Sequence, residues 1–460
     1  MKKATLLFFA ALLAGAGSSS AADTRERGAG ADAAAFALDL EFGVREFFEP
    51  DEKAAWQRVG LGHEFEMGSF FLAFDAGLNV RFDGGPREDR AKIRTKDWYF
   101  KNPGEFRDVY FPKVRSLRLG GEDTPVFLSF GDIEGATLGN GFIMSSYTNT
   151  LFEPENPVLG MYFTLDGKAV ELPFFRIESY AANAARFDVF AMRIHFTPFT
   201  FLKENFLKKL TLGTCAAVDR EPAYYALRYD EFDSALLPNT ALAAAHIYGV
   251  DFSLPLNVLP FWLLTLHGDW ATTRRKNSGG MGGVDNRFFG FLDVGLELGI
   301  LGENFMARYF GASYDLYRLE QYAVYNAQTV LKEKTGAYGF SLGISLFEEK
   351  LSLWASSRGP TGSPEGGSRE WQAGLSFKEV FIPRFFFDIL YEKKNMKTLN
   401  NFTNWKNDSL LKARLTYRAN SASLALVYTA RHFPSRSGHS RQTLLGIESR
   451  IKLKARGGAQ

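Results

Sequence analysis

The stretch from Ser69 to Phe82 limits the chain most. Its even positions, Phe70, Leu72, Phe74, Ala76, Leu78, Val80 and Phe82, are all apolar, whereas Ser69, Asp75, Gly77, Asn79 and Arg81 fall among the odd ones. A period of two predicts a β-strand with one apolar face. Its length, from 69 to 82, exceeds the ~5–6 residues usual for a soluble strand and suits a tilted strand crossing a bilayer, which needs ~9–11. One face would then meet lipid and the other a polar lumen.

The same alternation recurs along the chain. Phe36, Leu38, Leu40, Phe42 and Val44 oppose Asp39, Glu41, Gly43 and Arg45, and Val59, Leu61, Phe65 and Met67 oppose Arg58, Gly60, Gly62, Glu64 and Glu66. With 69–82 they read as an antiparallel meander. Further strands are expected at 114–119, 126–131, 158–165, 169–179, 186–197, 209–218, 246–256, 261–270, 288–300, 306–317, 336–347, 351–356, 370–378, 385–393, 411–419, 422–432 and 443–453. Asp166-Gly167 predicts a tight hairpin turn. Long connections are expected near 83–112, 132–157, 219–244, 276–284 and 357–369, with a short helix near 236–245. The run from Gly279 to Gly283 reads as loop. Single-chain bacterial barrels have even strand numbers, so the fold expected is all-β, a transmembrane antiparallel β-barrel of roughly 16–18 strands.

The start of the chain fits that reading. Met1-Lys2-Lys3, an apolar run through Leu6, Phe8 and Leu13, and the small residues Ser20 and Ala22 make residues 1–22 a signal peptide. A lead follows over 23–35, then the barrel over 36–454 and a tail over 455–460. No later apolar run approaches the ~20 residues of a spanning helix. Abundant Phe and Gly, 44 of each, suit a lipid-facing skin around a lumen with room in it. A net charge of +2 gives no reason to expect nucleic acid. Cys215 is the single cysteine, so no internal disulfide can form. The six histidines lack zinc-protease spacing, and no nucleophile elbow is present. No enzyme activity, metal or cofactor is expected. His267 and Asp269 share a strand face, as any two lumen residues two apart would.

Aromatics recur at strand ends, among them Phe47, Trp56, Phe82, Trp262, Trp270, Tyr317, Tyr417 and Phe433, where interfacial girdles sit. Together with the signal peptide and the long alternating strands, these features make the chain resemble Gram-negative outer-membrane β-barrel proteins of porin size. The resemblance implies the outer membrane as location, its lipid and the barrel-assembly machinery as partners, and small solutes as cargo. The sequence leaves the oligomeric state open. It departs from such barrels at its end, where Lys454 to Gln460 carries no terminal aromatic residue for that machinery.

The polar faces define a candidate pore lining: Asp39, Glu41, Asp75, Asn79 and Arg81 early, Asp293 and Glu297 midway, and Lys412, Arg414, Arg418, Glu448, Arg450 and Lys452 late. Closing the barrel brings the last strand beside the first. An acidic wall would then meet a basic one, either setting a transverse field across a wet pore or pairing charge with charge to hold the wall shut. The segment 132–149, with Asp132, Glu134, Asn140, Tyr147 and Asn149, is a candidate constriction loop, because Gly135, Gly139 and Gly141 let its backbone lie against the wall. The function expected is a channel for passive diffusion of small hydrophilic solutes. A transporter of hydrophobic compounds and a structural or adhesive surface barrel are the alternatives.

Overall fold

The computed structural model describes residues 35–48, 53–83, 90–121, 123–202, 206–226, 242–326, 334–362, 369–379, 382–396, 404, 407–435 and 438–454. The segments expected as signal peptide (1–22), as lead up to 34 and as tail (455–460) lie outside them, as does most of the helix expected near 236–245. The opening meander is β1 (Ala35–Phe48), β2 (Lys53–Met67) and β3 (Phe70–Asp83). A four-residue β4 (Arg90–Ile93) pairs with the end of β3, and helix α1 (Pro103–Tyr110) follows. Six short strands come next: β5 (Val114–Leu119), β6 (Val126–Gly131), β7 (Gly160–Asp166), β8 (Phe175–Ala181), β9 (Val189–Phe196) and β10 (Thr211–Asp219). Then come β11 (Ala245–Leu259), β12 (Trp262–Thr273), β13 (Ser278–Phe288) and β14 (Leu292–Leu301). Helix α2 (Tyr314–Tyr325) separates these from β15 (Thr335–Leu346), β16 (Leu351–Pro360), β17 (Arg369–Lys378) and β18 (Phe385–Met396). The chain finishes on β19 (Ser409–Ala419), β20 (Ala422–Ser435) and β21 (Gly438–Lys454).

All pairings between these strands are antiparallel, and β21 returns to pair with β1 from Ala37↔Lys454 to Arg45↔Gly446. Among the described residues, every strand but β4 follows its neighbour round one closed ring of twenty. This exceeds the 16–18 expected, because the brief strands β5 to β8 take full places in the wall. Closure leaves no free edge strand, the condition a sheet must meet in lipid, and Asp75–Asn79 in the middle of β3 lack a strand partner on one side among the described residues.

Alternation sorts the side chains as the period of two requires. Leu78, Phe82, Phe42, Val44 and Val59 face outward and stay exposed, while Asp39, Glu41, Arg58 and Asn79 are buried inward. The exposed apolar skin continues through Leu296, Leu298 and Ile300, Phe340 and Leu342, and Leu424 and Leu426. A water-facing surface would not carry it, whereas lipid favours it. The fold is a transmembrane β-barrel.

The longest connections, 84–113, 132–159, 220–244 and 302–334, all leave one end of the ring. The other end carries the tight turns, such as 260–261 and 420–421, and both outer ends of the β1–β21 seam. Several local expectations are corrected. The glycine run is strand β13, not loop. A Cβ at Gly279 would stand 2.6 Å from the Phe305 ring, so glycine there makes room for a loop folded against the wall. Residues 306–317 do not continue the strand pattern. They turn into α2, whose Tyr314, Arg318, Tyr322 and Tyr325 follow helical spacing and are all buried. Asp166-Gly167 opens a 3-10 turn over Gly167–Val170, capped by the Asp166 carboxylate on the Lys168 N–H at 2.9 Å, so the link to β8 is longer than a two-residue hairpin. The connection expected over 357–369 shrinks to 361–368. Of the strand-end aromatics, Phe82 and Trp270 are exposed in the skin, but Phe47, Trp56 and Phe433 point inward and are buried, and Tyr317 belongs to α2.

Candidate functional site

Two loops fold back into the barrel and divide its interior. In the first, Ala136 and Tyr147 exchange backbone hydrogen bonds at 2.9 Å, making a small hairpin inside the segment 132–149. Gly135, Gly139 and Gly141 take φ of 73°, 57° and 87°, values open to glycine at little cost. The second loop, 302–326, is stitched to the first: the Arg308 N–H donates to Phe142 O at 2.7 Å and the Phe310 N–H to Ile143 O at 3.1 Å. Together Phe142, Ile143, Met144, Phe305, Phe310 and Tyr314 pack against Ala191, Ala217, Ala245, Ile247 and Ala271 of the wall. Small wall residues leave the space that these loops fill, so the β9–β12 side of the lumen is an apolar plug.

A charged lock pins α2 within it. Arg318 lies between Asp219 (2.6 Å) and Asp188 (2.9 Å), with Asp315 at 3.7 Å, and all four are nearly inaccessible. The Tyr314 hydroxyl donates to Asp219 at 2.6 Å and the Tyr147 hydroxyl to Asp315 at 3.3 Å, tying both loops to one cluster. Burial opposes the charge on Arg318, but Asp219 and Asp188 outweigh it and hold its pKa above the ordinary value. Burial pushes Asp315 up to about 7 despite Arg318 beside it.

The other side of the lumen stays open. A cavity of about 1330 Å³ is lined from Ser352 and Ser376, near the turn end of β16 and β17, to Glu105 and Asn156 in the loops. It is larger than the ~300–1,000 Å³ of ordinary ligand pockets. Half of the charges expected to line a pore, Glu41, Asp75, Lys412, Arg414, Glu448 and Arg450, line it, most of them in pairs. Glu41 accepts from Arg450 at 2.7 Å and from Arg115 at 2.9 Å, with Arg58 at 3.5 Å. Arg58 also meets Asp75. Glu448 takes Arg45 at 2.8 Å and Arg414 at 3.3 Å, and Lys452 reaches Glu64 at 2.7 Å beside the buried Asp39. Register explains this, since β1 and β21 oppose Asp39 to Lys452 and Glu41 to Arg450. Of the two arrangements open to the sequence, charge pairing is the one observed along this seam. Asn79 donates to Asp97 at 2.7 Å, and Arg81 lies 5.9 Å from the Trp56 ring. Glu297 holds Arg308 at 2.6 Å, fastening the second loop. Asp293 pairs with Arg287 at 2.6 Å near the turns, where Arg418 covers the Phe386 ring at 4.1 Å.

The first loop turns a polar face to the cavity. Asp132 and Glu134 line it from within the lumen, and Lys412 donates to Thr150 at 2.8 Å across from them. Burial, then Asp132, pushes Glu153 up to about 8, and burial with Glu134 raises Asp132. Arg431 spans from Glu155 at 3.2 Å to Leu151 O. Asn140, Tyr147 and Asn149 point away from the cavity and anchor the loop: Asn140 donates to Phe252 O at 3.0 Å and Asp269 at 3.2 Å, and Asn149 donates to Ala182 O at 2.9 Å. The side chains missed in the sequence are Glu153 and the Arg318 cluster. Arg318 and Glu153 lie in loops where no alternation points inward.

No family model and no curated protein matches the chain. Solved barrels do. Wzi of Escherichia coli, an outer-membrane protein involved in group 1 capsule assembly and a carbohydrate-binding β-barrel, aligns over 91% of this chain and 84% of its own at 10% identity and TM-score 0.37. OpdO of Pseudomonas aeruginosa aligns over 91% and 96% at 11% identity and TM-score 0.37. The outer-membrane channel DcaP of Acinetobacter baumannii covers 95% and 100% at 9% identity and TM-score 0.29. Among the described residues, no three metal-ligating side chains converge.

Proposed function

We propose that this chain is an outer-membrane channel for passive diffusion of small hydrophilic solutes, with its path displaced to one side of the lumen. The cavity running beside the plug from turn end to loop end carries the reading. Its lining carries many carboxylates, guanidiniums and ammoniums, among them Glu41, Arg58, Asp75, Lys412, Arg414 and Glu448, which hold water along the path. Much of the Phe content meanwhile points to lipid, as Phe42, Phe82, Phe289, Phe340 and Phe347 do. The long loops face outward if the tight turns lie on the periplasmic side, as in other such barrels.

Planar-bilayer recording of refolded protein is the direct test. Stepwise, ohmic ion currents are expected, with weak selectivity because the lining charges are largely paired. Correctly folded protein that passes no current would overturn the proposal.

A further inference from the structure

The wall has a gap. On its β2 side β3 is paired from Phe70 to Val80, but on the other side β5 reaches only Phe74 and β4 begins only at Val80. Between them, Asp75 to Asn79 face no strand. The sector beyond is low, since β5 and β6 have six residues and β7 and β8 seven. At ~3.3 Å per residue and ~40° of tilt, such strands rise about 15–18 Å, short of the ~25 Å apolar band of a membrane barrel.

The chain from 94 to 113 straps the gap. Its α1 starts with Asn102 capping the Glu105 N–H at 3.0 Å and Pro103 in the first turn. It is fastened across the low rim by Asp108 to Arg186 at 2.5 and 2.9 Å and by Arg107 to Ala185 O at 3.1 Å. Phe100, Phe106 and Tyr110 cluster at 4.9–5.8 Å between ring centroids, yet no residue of α1 is buried and Phe106 is 41% exposed. The same strap lines the lumen cavity with Asp97, Tyr99, Glu105 and Lys113. One layer of chain therefore separates lipid from the lumen. Lys113 stands in it over the Trp98 ring at 3.6 Å and makes no ion pair among the described residues.

We propose that the gap beside Asp75–Asn79 is a lateral portal, closed by the strap 94–113, through which a single-chain amphiphile with an anionic head passes between the loop-side membrane leaflet and the lumen. Lys113, which has Asp97 and Asp75 nearby but no direct ion pair among the described residues, receives the head, and Phe100, Phe106 and Tyr110 flank the tail. Opening requires release of the Asp108–Arg186 pair. This route is independent of axial diffusion.

The test uses the full chain in liposomes, in a Cys215→Ala background, with a palmitate analogue carrying a photoreactive diazirine in its tail. Photolabelling is expected on lumen-facing residues around 75–79 and 113. In Asp108→Cys/Arg186→Cys, a short reducible bis-thiosulfonate bridge should abolish that labelling, and reductant should restore it, while the variant's ion conductance is the same in the bridged and the reduced form. Lys113→Glu, with the strap fastening intact, should lose labelling by the acid but keep labelling by the uncharged alcohol analogue. Labels confined to the outer skin, or lumen labels indifferent to both changes, would sink the portal. Conductance is read separately, so failure of the portal and failure of the channel are distinguishable.

Discussion

Arg414 is a cation on the cavity wall with room to act, its side chain 52% exposed and, among the described residues, paired with Glu448. Arg414→Glu is expected to move the reversal potential toward cation selectivity, by about twofold in permeability ratio. Arg418→Glu should do less, because Arg418 sits over Phe386 beside the turns and is not part of the cavity lining. Equal shifts from both would contradict this assignment. Arg318 acts on the fold instead. Its removal leaves buried Asp188, Asp219 and Asp315 without their cation, so Arg318→Met should cost about 3–5 kcal/mol. That loss should appear as a lower temperature for the heat-induced gel shift and noisier open-channel current. At this scale the seam was legible in the sequence, because parity puts Asp39, Glu41, Glu448, Arg450 and Lys452 on one face whatever the loops do. The partner of each charge was not legible, since Arg115 reaches Glu41 from a strand 74 positions away.

The inward loop 132–159 couples solution pH to the pore. Glu153, at about 8, is neutral below that value and negative above it. Raising the pH from about 7 to about 9 therefore adds negative charge beside the cavity, and cation selectivity should rise, while Glu153→Gln should flatten the response. The same shift lowers stability as pH climbs from about 4.5 toward about 8, because the unfolded carboxyl gives up its proton first. Glycine spacing made the loop recognisable, and Asp132 and Glu134 do face the cavity. Asn140, Tyr147 and Asn149 instead serve as anchors, which only the arrangement of wall and second loop decides. Helix α1 carried a readable start in Asn102-Pro103-Gly104-Glu105, where Glu105 also accepts from the Lys101 N–H at 2.6 Å. The surrounding aromatics and charges masked it. The α2 segment was misread because its tyrosines are apolar enough to mimic a strand face over a short window.

For the whole molecule, a closed ring of twenty strands should resist detergent at room temperature. Unboiled protein is expected to migrate faster than boiled protein, and identical mobilities would count against closure. Closure was inferable because long alternating strands leave no other home for Phe42, Phe82 and Leu298. The number was not, since β5 to β8, though visible as strand candidates, are shorter than a bilayer crossing needs, and the glycine run of β13 hid a full strand. The seam between β1 and β21 also has a consequence for assembly. It joins segments about 400 positions apart, as Arg45 and Glu448 show, and bringing such ends together costs roughly 5 kcal/mol of chain entropy if nothing has ordered between them. Hairpins between neighbouring strands form first at little such cost, so the seam should zip last, and the rate of barrel maturation should follow the strength of this one joint. Weakening Glu41–Arg450 should then slow the appearance of the compact gel form more than weakening any single hairpin elsewhere in the wall.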